Sequence, residues 1–252
     1  MGFEMGLCET EALVLRTYNL AEADKIVVCL TRANGLVRGV AKGSRRLKNR
    51  FGAALEPFTL LLLTYYQNEN RELASLSHTE IISSHFKLSS QAETLAGLCY
   101  MADLVIEFSP PHQPNDRLFR MVKACLEAVS NSPSDLQTIL RYFEVWLLKL
   151  EGFLPDIKHC AECQLVFDDQ KTAFVGLDLS LRCRSCNQGP STAVSSKLHN
   201  QLRATQKVGP NVFAEESRQV SPKVLLEMEE LTRTLIGRVL ERQPRIRPTF
   251  LN

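Results

Sequence analysis

The chain of 252 residues is 44% apolar and 23% charged, and its 30 Lys and Arg face 28 Asp and Glu for a net charge of +2. These are ordinary values for a soluble globular protein, and the length suits one large domain or two to three small ones. So small a net charge predicts no polyanionic partner by itself, and no apolar run approaches the roughly 18–20 residues that cross a bilayer.

Residues 1–10 read as a leader. They carry acid where a secretory signal needs base, and they lack its apolar segment, so the expected location is a reducing cytoplasm. Residues 11–82 read as β. Strands are expected at 11–18, 25–31, 35–41, 58–66 and 73–82. Asn34-Gly35 between the second and third marks a hairpin turn, because both residues tolerate positive φ. Five short strands with glycines at likely bends suit a Greek-key barrel of the OB type.

The period changes after residue 88. Leu95, Leu98, Cys99, Ala102, Val105 and Ile106 recur at helical spacing, and Ser109-Pro110-Pro111 ends that helix. Leu118, Met121, Val122, Cys125, Leu126 and Val129 form a second stripe. A third helix is expected to begin at Ser134, with Gln137 completing a capping box, and to stop at Gly152. These stripes over 88–152 predict a helical bundle, continued by 191–247 after an intervening module at 153–190. Ser221 with Pro222 opens a last helix there. Residues 248–252 are a tail, and Arg242, Arg245 and Arg247 before it either add a contact or merely end the chain.

The module at 153–190 holds two cysteine pairs, Cys160-Ala-Glu-Cys163 and Cys183-Arg-Ser-Cys186, separated by nineteen residues. That spacing fits a four-cysteine zinc site. Four thiolates close the metal to water and substrate, so one structural Zn2+ is expected. Two disulfides would need an oxidising compartment, and a redox pair would open a helix after a strand. His159 is an alternative ligand beside Cys160. Phe167, Phe174, Val175 and Leu177 can cover one face of the metal. Cys29, Cys99 and Cys125 lie on apolar strand or helix stripes and read as core.

Charge is concentrated rather than abundant. Between Lys25 and Leu55 stand eight Lys or Arg and no Asp or Glu, and five of them fall within Lys42–Arg50. Glycine and serine among them suggest an exposed inter-strand loop that can follow a phosphate backbone. The candidate contacts are Arg32, Arg38, Lys42, Arg45, Arg46, Lys48 and Arg50. Phe51 or Tyr65 would offer a stacking face if exposed and core if not. A loop of this kind also suits an acidic protein partner, so an interaction scaffold is the rival reading. GxxxxGK, HExxH, H-x-E and GxSxG are all absent, and no catalytic constellation stands out.

Gly39-Val-Ala-Lys-Gly-Ser-Arg-Arg and Arg50-Phe-Gly-Ala-Ala-Leu-Glu-Pro-Phe-Thr-Leu-Leu closely resemble the N-terminal domain of the bacterial recombination mediator RecO family. Glu11-Ala-Leu-Val-Leu-Arg and Arg141-Tyr-Phe-Glu-Val-Trp-Leu-Leu-Lys-Leu-Glu-Gly-Phe-Leu-Pro are similar to that family as well, and the cysteines fall where its zinc module would be. The resemblance implies a multidomain α+β protein with an OB domain, a helical domain and a zinc module. It implies a non-enzymatic role in DNA repair at the bacterial nucleoid. That role comprises binding single- and double-stranded DNA, annealing complementary strands, and helping RecA load onto strands coated by single-stranded-DNA-binding protein. RecR and the C-terminal tail of the single-stranded-DNA-binding protein are the implied partners, and Lys42, Arg45, Arg46 and Arg50 are the cations within the matching motif.

Overall fold

The computed structural model describes residues 6–68, 71–167 and 172–241. They form two compact units, one running through Leu126 and one starting at Glu127. The division falls inside a helix, whereas the sequence reading keeps 88–152 together.

The first unit is built on five strands: β1 (Gly6–Leu20), β2 (Asp24–Thr31), β3 (Gly35–Ala41), β4 (Thr59–Gln67) and β5 (Ala74–Ser84). All five expected strands are present. β1 starts earlier than expected, so residues 6–10 of the supposed leader are strand, paired with β4 from Gly6↔Gln67 onward. The strands bond in the order β1-β2-β3-β5-β4, and β4 returns to β1, which closes the sheet into a barrel. Closure leaves no free edge. Alternate residues point inward, as strand geometry requires. Val14, Val27, Cys29, Val37, Leu61, Leu63, Tyr65 and Leu76 fill the interior.

The β2–β3 connection is three residues long, as the expected strand bounds require. Thr31 shapes it: its hydroxyl accepts from the Asn34 N–H (3.1 Å) and donates to the Gly35 carbonyl (2.8 Å). Gly35 follows at φ +65°, and a Cβ there would overlap the backbone carbonyl of Gln113. Glycine is therefore needed twice at this position, for conformation and for space. Nearby, the His112 N–H donates to the Leu36 carbonyl (3.2 Å).

Two helices complete the first unit's main elements, α1 (Ala92–Phe108) and the first part of α2 (Asp116–Asn131). α1 lies against β1, where Arg16 pairs with Asp103. The second unit carries α3 (Leu136–Leu150), a three-stranded sheet of β6 (Ala173–Gly176), β7 (Leu181–Cys183) and β8 (Ser191–Val194), then α4 (Ser196–Thr205), α5 (Pro210–Ser217) and α6 (Pro222–Val239). The expected capping box is not formed. A 3-10 turn at Pro133–Asp135 precedes α3, and Asp135, not Ser134, occupies the N-cap position without a side-chain cap bond. Ser221 does stand at the N-cap of α6, but its hydroxyl makes no cap bond. The sequence reading did not resolve α4, α5 or the small sheet.

α3 contacts α4, α5 and α6. Its buried face carries an ionic cluster: Arg141 pairs with Glu144 (3.0 Å) and Glu229 (3.4 Å), and Glu144 also accepts from the Thr232 hydroxyl. Trp146 Nε1 donates to the Thr205 carbonyl at 2.7 Å. No helix among the described residues is long and apolar enough to cross a membrane.

Gly35→Ala should therefore lower stability by roughly 2 kcal/mol or more, from left-handed backbone strain plus a backbone overlap. The urea midpoint of the purified variant reads this directly. An unchanged midpoint would mean that the Gln113 segment gives way freely.

Candidate nucleic-acid interface and metal centre

The connection from β3 to β4 alternates between two duties. Phe51, Ala54 and Leu55 turn inward and join the barrel core. Lys42, Arg45, Arg46, Lys48 and Arg50 stay exposed. Burying a Phe-sized side chain stabilises by about 1.5–3 kcal/mol, so the apolar half anchors the charged half.

Hydrogen bonds then shape the cationic arc. The Gly43 N–H donates to Asp24 Oδ1 (2.8 Å). The Arg45 N–H donates to the Ala23 carbonyl (3.0 Å), and Arg45 Nη1 to the Ala21 carbonyl (2.9 Å). Asn49 braces the far side: its Oδ1 accepts from the N–H groups of Phe51 (3.0 Å) and Gly52 (2.8 Å), and its Nδ2 donates to the Arg46 carbonyl (3.0 Å). Arg50 lies over the Phe51 ring, 4.9 Å from its centroid, and donates to the Leu76 carbonyl at 3.0 Å. The arc is pinned to the β1–β2 turn at one end and to β5 at the other.

The candidate cations thus separate into classes. The side chains of Lys42, Arg46 and Lys48 are exposed and make no hydrogen bond or ion pair among the described residues, and Arg38 likewise projects from β3 to solvent. Arg45 and Arg50 are exposed but spend one donor each on holding the loop. Arg32 is different. It lies in the β2–β3 turn and pairs with Asp116 (2.8 Å) and Glu11 (3.3 Å), so its charge is met within the protein. Leu47 stands fully exposed at 106% among the free cations. Phe51 and Tyr65 are buried at 3% and 2%, which settles both as core. The C-terminal Arg242, Arg245 and Arg247 lie outside the described residues.

The second constellation is the cysteine cluster. The first pair occupies a turn closed by the Gln164 N–H to the Cys160 carbonyl (3.0 Å), with Gln164 at φ +59°. β7 delivers Cys183, and the Cys186 N–H bonds back to the Cys183 carbonyl (3.1 Å). The two turns face each other because the Ala161 N–H donates to the Leu181 carbonyl (2.8 Å) and the Cys183 N–H to Cys160 Sγ (3.3 Å). All four Sγ atoms lie within 4.8 Å of one another. The Cys163–Cys183 sulfur separation is 3.8 Å. Metal–sulfur bonds of about 2.3 Å in a tetrahedron give sulfur–sulfur edges of about 3.8 Å, so the four residues can bind a metal ion.

The thiols do not ionise alike. Burial raises Cys160, but the backbone N–H groups of Cys163, Cys183 and Glu162 outweigh it and bring the thiol down to about 6. Cys186 is pushed up to about 12 by its hydrogen bonds with Cys163 and Cys183, then by burial and by the neighbouring Cys160. One thiolate forms readily and repels the next, so the full set of four calls for a cation at its centre. His159 stands outside the cluster, with Nδ1 3.0 Å from Asp156 Oδ2. Of the residues expected to cover the site, Phe167 and Val175 are buried while Leu177 is exposed. Phe167 packs edge-on to His199, which bonds the Ile157 carbonyl and so ties the module to α4. Arg238 of α6 donates to the Gly176 carbonyl at 2.7 Å.

Residues 5–85 match the family model described as Recombination protein O N terminal, and residues 89–248 the model described as Recombination protein O C terminal. A DNA repair protein RecO of Koribacter versatilis is 37% identical over 164 residues, covering 65% of this chain and 66% of the relative. One from Geobacter metallireducens is 31% identical, covering 82% and 85%. Another, from Syntrophus aciditrophicus, is 26% identical over 93% and 92%.

Asn49→Ala should loosen the arc, since it strips the acceptor from two N–H groups at a cost of about 1 kcal/mol. Hydrogen exchange at Phe51 and Gly52 should quicken while the barrel strands keep their protection. Equal exchange in parent and variant would show that the Asn49 brace is dispensable.

Proposed function

The chain belongs to the RecO family of DNA repair proteins, and from that membership and the braced cationic loop we propose that it is a recombination mediator that works on DNA strands without covalent chemistry. It binds single- and double-stranded DNA, anneals complementary strands, and with RecR helps load RecA onto strands coated by single-stranded-DNA-binding protein, whose C-terminal tail is a second contact. It does this in the cytoplasm, at the nucleoid. The observation that carries this reading is the exposed, uninterrupted run of positive charge on a rigidly held loop. Rigid cations lose little freedom on binding. They meet phosphates and not base edges, so binding is largely independent of sequence. Bringing two polyanionic strands to one cationic arc lowers their mutual repulsion, which is the physical requirement for annealing.

The barrel is read as an OB-type domain, a fold that presents nucleic-acid surfaces on its strands and connecting loops. The strand order β1-β2-β3-β5-β4 with a return to β1 supports that reading. Within the candidate set, Lys42, Arg46 and Lys48 are the leading phosphate contacts, with Arg38, Arg45 and Arg50 beside them, while the ion pairs of Arg32 argue for a structural duty. The four cysteines are read as holding one structural Zn2+. When bound, the ion supplies a cross-link between the two turns and no open coordination site. The residues Cys160, Cys163, Cys183 and Cys186 contribute the thiolates, and the backbone N–H groups around Cys160 stabilise its charge.

Each phosphate neutralised on a single strand contributes about −0.7 to the slope of log affinity against log salt. Replacing Lys42, Arg46 and Lys48 together by Ala should flatten that slope by about 2, whereas Arg32→Ala should leave it as in the parent. A parent-like slope in the triple variant removes the loop from the mechanism, and a parent that ignores labelled oligonucleotides even at low salt favours a protein-binding scaffold instead.

For the metal, gently purified protein should contain one zinc per chain. Cys183→Ser should lose it and unfold residues 153–190 first, since β7 ends at that ligand, with barrel melting unchanged. Metal content near zero in the parent, with four titratable thiols, would overturn the assignment.

A further inference from the structure

The strand registers bring together a surface row that the sequence scatters over sixty residues. Tyr18 pairs with Ile26, Ile26 with Val40, Val40 with Ser75, Ser75 with Tyr66, and Tyr66 with Leu7. Paired residues share a face of a sheet. The neighbours of this row, Val27, Ala41, Ala74, Leu76 and Tyr65, all point into the core, so the row lies on the outside of the barrel. Tyr18 and Tyr66 are each 48% exposed and Leu7 is 70% exposed.

The cationic arc is pinned on both sides of this row's middle. Arg45 and Gly43 bond the β1–β2 turn at Ala21, Ala23 and Asp24, close to Tyr18. Arg50 bonds the Leu76 carbonyl, next to Ser75 and its partner Tyr66. Arg38 and Lys42 stand two residues to either side of Val40 and are exposed. A row of apolar and aromatic surface therefore runs beside a line of positive charge. That pairing fits a ligand with a flat apolar side and an anionic side, which is a nucleic-acid strand with unpaired bases.

We propose that this row is a floor for unpaired nucleobases, with Tyr18 and Tyr66 as its stacking faces, while the phosphates follow the arc of Lys42–Arg50. The inference rests on the DNA-binding reading and deepens it. The arc alone takes any phosphate backbone, single or double, whereas the tyrosines engage only bases that are not already paired and stacked. Ser75 leaves a low point between the aromatic end and Val40, so successive bases need not lie in one plane. The row thus selects the single-stranded state, and the arc supplies affinity that both states share.

The test compares two oligonucleotides of equal length and charge, one of thymidines and one of abasic sugars, in anisotropy titrations at several salt concentrations. Tyr18→Ala and Tyr66→Ala should each weaken binding to the thymidine strand about tenfold and leave the abasic strand and the salt slope as in the parent. Tyr18→Phe and Tyr66→Phe should bind as the parent, because the ring and not the hydroxyl stacks, and they also control for folding. Alanine variants that lose both strands equally, or neither, overturn the floor while DNA binding stands. A parent that binds neither strand at low salt overturns the DNA reading and this inference with it.

Discussion

Phe51, Ala54 and Leu55 close the barrel interior from the loop side, and much of the proposed chemistry follows from that burial. A closed five-stranded sheet has no edge to offer a partner strand. Its surface can speak only through outward side chains and through the connections between strands. The β3–β4 connection is made rigid by its own apolar half, so its charged half is held out at fixed positions. Asp24, Asn49 and the carbonyls of Ala21, Ala23 and Leu76 then fix the course of the arc. A cationic loop without such anchors would be an ordinary solvated run of charge, and would lose much more freedom on meeting a strand.

The second unit solves a different problem. Its helices carry a buried arginine, and the Arg141 charge is paired with Glu144 on the same helix and Glu229 on α6. Such a pair contributes little net stability against an apolar replacement, but a slipped helix would strand a charge in the core, so α3 and α6 have one acceptable register. The cysteine module depends on similarly strict geometry. Its short strands bury little surface by themselves, and the opposed turns at Cys160–Cys163 and Cys183–Cys186 bring four sulfurs within 4.8 Å of one another. His199 and Arg238 then tie the module to α4 and α6 through backbone carbonyls.

Legibility varied with the range of the interaction. The five barrel strands were readable because each is a local run of β-branched and apolar residues, and the cysteine spacing was readable because two turns of fixed size demand it. α4 and α5 escaped because they are short, ten and eight residues, and carry narrow apolar stripes. The capping box at Ser134 failed for a local reason: Pro133 favours a 3-10 turn that shifts the helix start to Leu136. Arg32 was grouped with the basic run by sequence, yet Asp116, 84 positions away, takes its charge.

Tyr65 and Tyr66 show where the boundary lies. The run Leu60 to Leu63 announces a buried strand but has no alternation, so it cannot say which of the two tyrosines faces inward. The barrel register decides: Tyr65 is core and Tyr66 is surface, after an irregularity between Thr64 and Tyr65 in the pairing with β5. The sequence by itself determined the barrel strands and longer helices, the paired cysteines and the site of the dense charge, because each depends on near neighbours in the chain. Only the tertiary structure decided which cations are free, which aromatics are exposed, and that Tyr18, Val40 and Tyr66 share one row, because strand pairing and long-range ion pairs join residues whose separation along the chain carries no local signal.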